Sequence, residues 1–168
     1  MIGKIVARIP PNRLSSITNM DTHTRKSGTF VSAYLILRQK DQILLLLRQN
    51  TGYCDGQWGL VAGHVEEGES ATVGIIREAS EEAGLTLFPS QLKTVHIMHR
   101  KTPDRLNIDV FFEHLSWDGL AVNTEPKKCV GFQLFPHLTL PSNTMDYVAA
   151  ALRSIQNGEF YSEWGWQT

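Results

Sequence analysis

The chain has 168 residues, 42% of them hydrophobic and 20% charged, with 16 Lys and Arg against 17 Asp and Glu. That length suits one domain, the apolar share excludes a wholly disordered chain, and 13 Gly and 7 Pro without a period exclude a fibrous or repeat architecture. A net charge of −1 gives no general reason to bind nucleic acid or an acidic membrane. The balance is uneven along the chain. Residues 1–28 carry Lys4, Arg8, Arg13, Arg25 and Lys26 against Asp21 alone, while six acidic residues crowd into positions 63–85.

In chain order, residues 1–28 read as a basic arm, one strand and then a mobile stretch, with Pro10-Pro11 interrupting any long amphipathic helix. Phe30–Leu37 and Ile43–Arg48 are rich in strand formers and flank Asp41-Gln42, a pattern that predicts a hairpin of two buried strands. Asn50–Gly59 is a loop dense in Gly, Asn and Asp, and a short apolar stretch over Leu60–Val65 follows it. Ser70 is placed to cap a helix over Ala71–Ala83, with Val73, Ile76, Ser80 and Ala83 as its mostly apolar face and Gly84 as its stop. Leu92–His99 and Leu106–His114 read as strands, Asn123–Cys129 as a polar turn and Val130–Phe135 as a further strand. Pro141-Ser142-Asn143 opens a last helix through about Gln156, ended by Gly158. The mixed order predicts one α/β domain over 29–168, either α+β or a layered α/β/α sandwich.

The longest apolar run, Ile43–Leu47, is far short of the ~18–20 residues that span a bilayer. Cys54 and Cys129 lack metal or redox spacing and suit a reducing compartment, so a cytoplasmic protein is expected. His96 and His99 would point to opposite faces of a strand, which argues against a zinc pair.

The informative stretch is Gly63-His64-Val65-Glu66-Glu67-Gly68-Glu69, seven residues, then Arg77-Glu78-Ala79-Ser80-Glu81-Glu82-Ala83-Gly84-Leu85. On a helix, Glu78, Glu81 and Glu82 fall within roughly a 100° arc. Glu81 has Arg77 four residues before it, whereas Glu78 and Glu82 have no Lys or Arg at i±3 or i±4. Such a cluster is either a solvated helix face or a site for a hard divalent cation, Mg2+ or Mn2+. Gly63 permits a tight loop beside it, and Arg77 can lie against Glu69 to hold loop to helix.

The spacing resembles the Nudix box, G-x5-E-x7-R-E-U-x-E-E-x-G-U with U a bulky aliphatic. Gly63, Glu69, Arg77, Glu78, Glu81, Glu82, Gly84 and Leu85 match, and Ala79 is smaller than the usual aliphatic. The resemblance extends over roughly residues 30–158 and implies a Nudix α/β/α sandwich with a mixed sheet. It also implies hydrolysis of a nucleoside diphosphate linked to another moiety, with Mg2+ (or Mn2+) held by Glu78, Glu82, Glu81 and the carbonyl of Ala62. Arg77, Glu69 and Gly63 would support those ligands. Glu78, Glu81 and Glu125 are the candidate bases, Glu125 because Asn123–Cys129 looks like a stretch in the nucleoside-triphosphate-cleaving branch; a solvated turn is the competing reading.

Arg48 and Arg100 are candidate phosphate clamps, with surface salt bridging as the alternative. Tyr53, Trp58 and Phe111 are candidates for stacking on a base, with core packing favoured for each. Asn143 is a candidate for reading the base edge or a helix cap. The substrate expected is a small nucleotide, first a nucleoside or deoxynucleoside triphosphate, ordinary or oxidised, and next ADP-ribose or a nucleotide sugar. A non-catalytic nucleotide-binding module is the alternative of another class. Neither a membrane nor a nucleic-acid partner is expected, and the protein is expected to be a monomer or homodimer.

Overall fold

Strand-forming residues dominate the first half of the chain, and in the computed structural model they build two sheets rather than one hairpin. The structure describes residues 28–115 and 117–166. The basic arm expected over 1–28 therefore lies outside the described residues, save for Gly28. Strands β1 (Thr29–Ile36), β2 (Arg38–Gln39), β3 (Gln42–Arg48), β4 (Trp58–Gly59) and β5 (Val61–His64) lead to helix α1 (Ala71–Ala83). A 3-10 turn at Pro89–Gln91 precedes β6 (Leu92–Lys101), β7 (Leu106–His114) and β8 (Cys129–Pro136), then helix α2 (Asp146–Gln156) and β9 (Tyr161–Trp164).

The expected pairing of the first two long strands is corrected. β1 pairs antiparallel with β5 and parallel with β7, and never with β3. Chain direction changes one step later, where Arg38 and Gln39 pair with Ile43 and Gln42 across a turn whose Lys40 has φ 56°. The reason is burial. β1 carries Tyr34 and Ile36 on one face and Ala33 and Leu35 on the other, all essentially inaccessible, so it must be covered on both faces and sits inside a sheet.

The five-stranded mixed sheet runs β5-β1-β7-β6-β9, and β3 gathers β2, β4 and β8 into the second sheet. One core places Tyr34, Ile36, Ile43, Leu45, Met98 and Phe111 against Val148, Ala151 and Leu152 of α2. The other places Ala33, Leu35, Leu46 and Phe112 against Ile75, Ala79 and Ala83 of α1. Helices thus cover opposite faces of the sheets, the α/β/α sandwich that the sequence predicts.

Three further differences concern element ends and faces. α2 starts at Asp146, three residues beyond the expected opening, because Thr144 pairs its hydroxyl with Pro141 in a turn first. The buried stripe of α1 is Gly74, Ile75, Ala79 and Ala83, while Val73 and Ser80 are exposed. β9, which sequence patterning does not predict, pairs parallel with β6 through Ile97–Arg100. Among the described residues, no helix is long and apolar enough to cross a membrane.

Candidate active site

The site is built on α1. Ser70, in extended conformation, accepts a hydrogen bond from Val73 N at 3.3 Å and so satisfies one free donor of the first turn. Gly84 closes the helix at φ 62°, a conformation open to glycine at no steric cost. Packing at Ile75, Ala79 and Ala83 follows an i, i+4, i+8 line. Glu78 and Glu82, one position before Ala79 and Ala83, then flank that line and lean toward β5. Glu82 Oε2 accepts the Ala62 N–H at 3.0 Å. A Cβ added to Gly63 would collide with the Glu78 carboxylate, so the glycine is what lets this side chain lie along the strand.

Arg77 ties the loop to the helix. Its Nη2 reaches Glu69 Oε1 at 2.8 Å and donates to the His64 carbonyl at 3.0 Å, while Glu69 also accepts from Glu66 N at 2.8 Å. Hydrogen bonding from Arg77 holds the Glu69 carboxyl below its usual range. Nη1 of Arg77 takes Glu78 Oε1 at 2.8 Å and Glu81 Oε2 at 3.2 Å. The sequence expectation that Glu78 lacks a basic partner is therefore corrected. Helix neighbours at i and i+1 diverge at Cβ, but a guanidinium on a long stem spans the gap.

Glu125 lies across the cleft in the turn before β8. Asn123 Oδ1 accepts its N–H at 3.1 Å and Lys128 Nζ meets its Oε1 at 2.7 Å. The Thr124 hydroxyl donates to the Glu81 carbonyl and pins this turn to α1. Glu78, Glu81, Glu82 and Glu125 line one cavity of about 550 Å³ together with Arg48, Ala62, Gly63, His64 and Lys128.

Burial and like charge dominate its electrostatics. Burial pushes the Glu82 carboxyl up to about 7, and Glu78 and Glu125 push it in the same direction. Burial also raises Glu78, against the pull of Arg77. Among the described residues, no three His, Cys, Asp or Glu side chains are arranged as a ready metal cage. The reason is visible in the contacts: Arg77 holds Glu78 and Glu81, Lys128 holds Glu125, and Glu82 faces Ala62 N. The donor set nonetheless fits a hard divalent cation, because it concentrates the carboxylate oxygens of Glu78, Glu81, Glu82 and Glu125 in one cavity, and burial opposes the bare charge of Glu78 and Glu82.

The remaining candidates separate. Arg48, the last residue of β3, donates to the Tyr53 carbonyl at 3.1 Å and lines the cleft. Tyr53 is 42% exposed and lines an adjoining chamber. Trp58 packs edge-on against Phe135, and Phe111 is fully buried and stacked on Tyr34. Asn143 donates to the Gly56 carbonyl at 2.9 Å and fastens the 50–59 loop, while Met145 takes the cap position of α2. Arg100 lies within β6 rather than after a strand and is buried, paired to Asp109 at 2.5 and 3.1 Å. Sequence reasoning missed Asp109, Tyr34 and Tyr147. Asp109 had a signal, since a carboxylate at the inward register of an apolar strand needs a buried partner.

A mixed two-sheet sandwich whose carboxylate-bearing helix lies against a glycine loop defines a Nudix-type domain. The NUDIX domain model matches residues 28–154, and the chain belongs to this family. It is 37% identical over 71 residues to the human 8-oxo-dGDP phosphatase NUDT18, a match covering 42% of this chain and 22% of that protein. It is 29% identical over 92 residues to the putative nudix hydrolase 1 of Caenorhabditis elegans, covering 54% and 25%. The matched stretch thus spans a quarter or less of these curated relatives. The MutT NUDIX hydrolase of Burkholderia pseudomallei shares the fold at TM-score 0.68 and 20% identity, over 76% of this chain and 98% of that one.

Proposed function

We propose that the domain over 29–168 hydrolyses phosphoric anhydrides in small nucleotides, with Mg2+ or Mn2+ as cofactor. The favoured substrate is a nucleoside or deoxynucleoside triphosphate, ordinary or oxidised, cleaved to monophosphate and pyrophosphate. The observation that carries this reading is the half-buried set Glu78, Glu82 and Glu125, mutually repelling at one cavity that also presents Arg48 and Lys128. Glu78, Glu81, Glu82 and the Ala62 carbonyl would hold the metal, in competition with Arg77. When bound, such a cation neutralises phosphate oxygens and lowers the pKa of water. Arg77 keeps the glycine loop seated on α1, Arg48 and Lys128 attract phosphate oxygens, and Glu78, Glu81 or Glu125 takes the proton from the attacking water.

The name of the human relative favours a second reading, an oxidised deoxynucleoside diphosphate as substrate. Two free cysteines suit a reducing compartment such as the cytoplasm. The deciding experiment measures phosphate and pyrophosphate release with Mg2+ from NTPs, dNTPs, 8-oxo-dGTP, 8-oxo-dGDP, ADP-ribose and nucleotide sugars. Pyrophosphate from triphosphates is expected. Phosphate from 8-oxo-dGDP alone would favour the second reading, and nucleotide binding without any release would make the domain a non-catalytic module.

A further inference from the structure

Next to the carboxylate cleft lies a smaller chamber of about 140 Å³, lined by tyrosines and arginines. The two cavities share Arg48, Ala62, Gly63 and His64 in their walls, so one ligand can occupy both. The chamber's volume is below the ~300–1,000 Å³ of pockets that take whole drug-sized ligands, which suits one ring system. Its walls include Leu60, Met145, Tyr34, Tyr53 and Tyr147, flat or apolar surfaces that suit an aromatic ring.

Formal charge in this chamber is one-sided: Arg48, Arg100 and Arg105 line it, and no Asp or Glu does. Arg100 has Asp109 along its Nε and Nη2 edge, and its guanidinium stands 4.1 Å from the centre of the Tyr147 ring. Nη2 also lies 3.5 Å from the Tyr34 hydroxyl. The contacts to Asp109 and Tyr34 run through Nε and Nη2, so Nη1 is the guanidinium nitrogen not committed to either. Arg48 and Arg105 add two more cationic walls. Asp109, the acid nearest to this group, is consumed by Arg100, and no Asp or Glu lines the chamber. A ring presenting carbonyl oxygens finds donors here, whereas one presenting an amino group to the same wall finds no carboxylate to accept its hydrogens.

We propose that this chamber binds the base of the nucleotide and selects a 6-oxopurine over a 6-aminopurine, with Arg100 as the donor and Asp109 as the residue that positions it. The inference rests on the nucleotide reading above and adds base selectivity to it. Inosine and adenosine nucleotides are the sharpest probes, because they differ only at positions 6 and 1 of the purine, a 6-oxo group beside N1–H against a 6-amino group beside a bare N1.

The first test uses the full chain without substitution. Calorimetric binding of IMP and AMP in EDTA, and Mg2+-dependent hydrolysis of ITP and ATP, are measured side by side. Selection of the oxo base by roughly tenfold or more is expected in both, the scale of losing a hydrogen bond to a charged donor. Equal binding and equal hydrolysis, or a preference for adenosine, would overturn the base assignment and leave the hydrolase reading standing. Tighter binding of IMP without hydrolysis of either triphosphate would support the chamber and sink the hydrolase reading. Asp109→Asn separates positioning from folding: KM for ITP should rise while kcat holds, at an unchanged circular dichroism spectrum. An unaltered KM in a folded Asp109→Asn variant would remove Asp109 from the proposal.

Discussion

Glu82 brings the opposing demands on the site together in one side chain. Its carboxyl is pushed from 4.5 to about 7, first by burial and then by Glu78 and Glu125. Between those two values the folded protein binds more protons at this group than the unfolded chain does. In EDTA its contribution to stability therefore falls as pH rises from about 4.5 to about 7 and is level above that. Glu82→Gln keeps an oxygen for Ala62 N and removes the charge. It should raise stability at pH 8 by on the order of 2 kcal/mol, and Mg2+-dependent turnover should be lost. Melting curves at pH 5 and pH 8 in EDTA check the first outcome, and a variant that melts like the parent at both would refute it. Glu125 differs from Glu82 in having Lys128 Nζ at 2.7 Å from its carboxylate. If it takes the water proton, Glu125→Gln lowers kcat by ~10²; an unchanged kcat returns it to a salt-bridged turn. At this scale, the pairing of Arg77 with Glu69 was legible in the sequence because local spacing carries it. The burial of Arg100 was not, because its partner sits nine residues away on the neighbouring strand.

Helix α1 shows why an element can be read more securely than a sheet. Its Ser70 cap, Gly84 stop and 13-residue length are properties of contiguous chain, and the structure has the predicted bounds. Strands β1 and β3 were equally visible as strands, but their partners were not. Pairing depends on which sheet each joins, and β1 finds β7 more than seventy residues away. The face of α1 was misjudged for a related reason. Val73 and Ser80 continue an amphipathic pattern in isolation, but the small residues Gly74, Ala79 and Ala83 allow closer approach to the sheet. That approach brings Glu78 beneath Gly63. Gly63 has an ordinary backbone φ, so alanine is conformationally acceptable there and the collision falls on the Glu78 side chain from Cγ outward, which must swing away. Gly63→Ala should therefore fold, with a melting temperature within a few degrees of the parent, yet lose ~10² in kcat as Glu78 is displaced. Parental turnover would show that the carboxylate does not act from under this glycine.

Across the whole molecule, β5 and β9 are the two edges of the mixed sheet, and β9 covers the outer side of β6. His96, fully buried, has its ring nitrogens 2.9 Å from the Glu159 carbonyl and 2.8 Å from the Ser162 hydroxyl. Trp164 packs against Tyr147, and Trp166 Nε1 donates to the His99 carbonyl at 2.9 Å. Trp164 also stands opposite Arg100 in the strand register, so the tail braces the strand that supplies the chamber's central cation. Ending the chain at Gly158 would leave a buried imidazole with two unmet partners and uncover the aromatic surface around Tyr147. The loss should be at least ~3 kcal/mol from those two effects, about 6–12 °C in melting temperature for a chain of this size. The shortened protein, where folded, should bind IMP less tightly because β6 is freed at its outer edge. Thermal melts of the full and shortened chains decide this. A difference under 2 °C would mean that the sheet is complete without β9 and that His96 finds other partners.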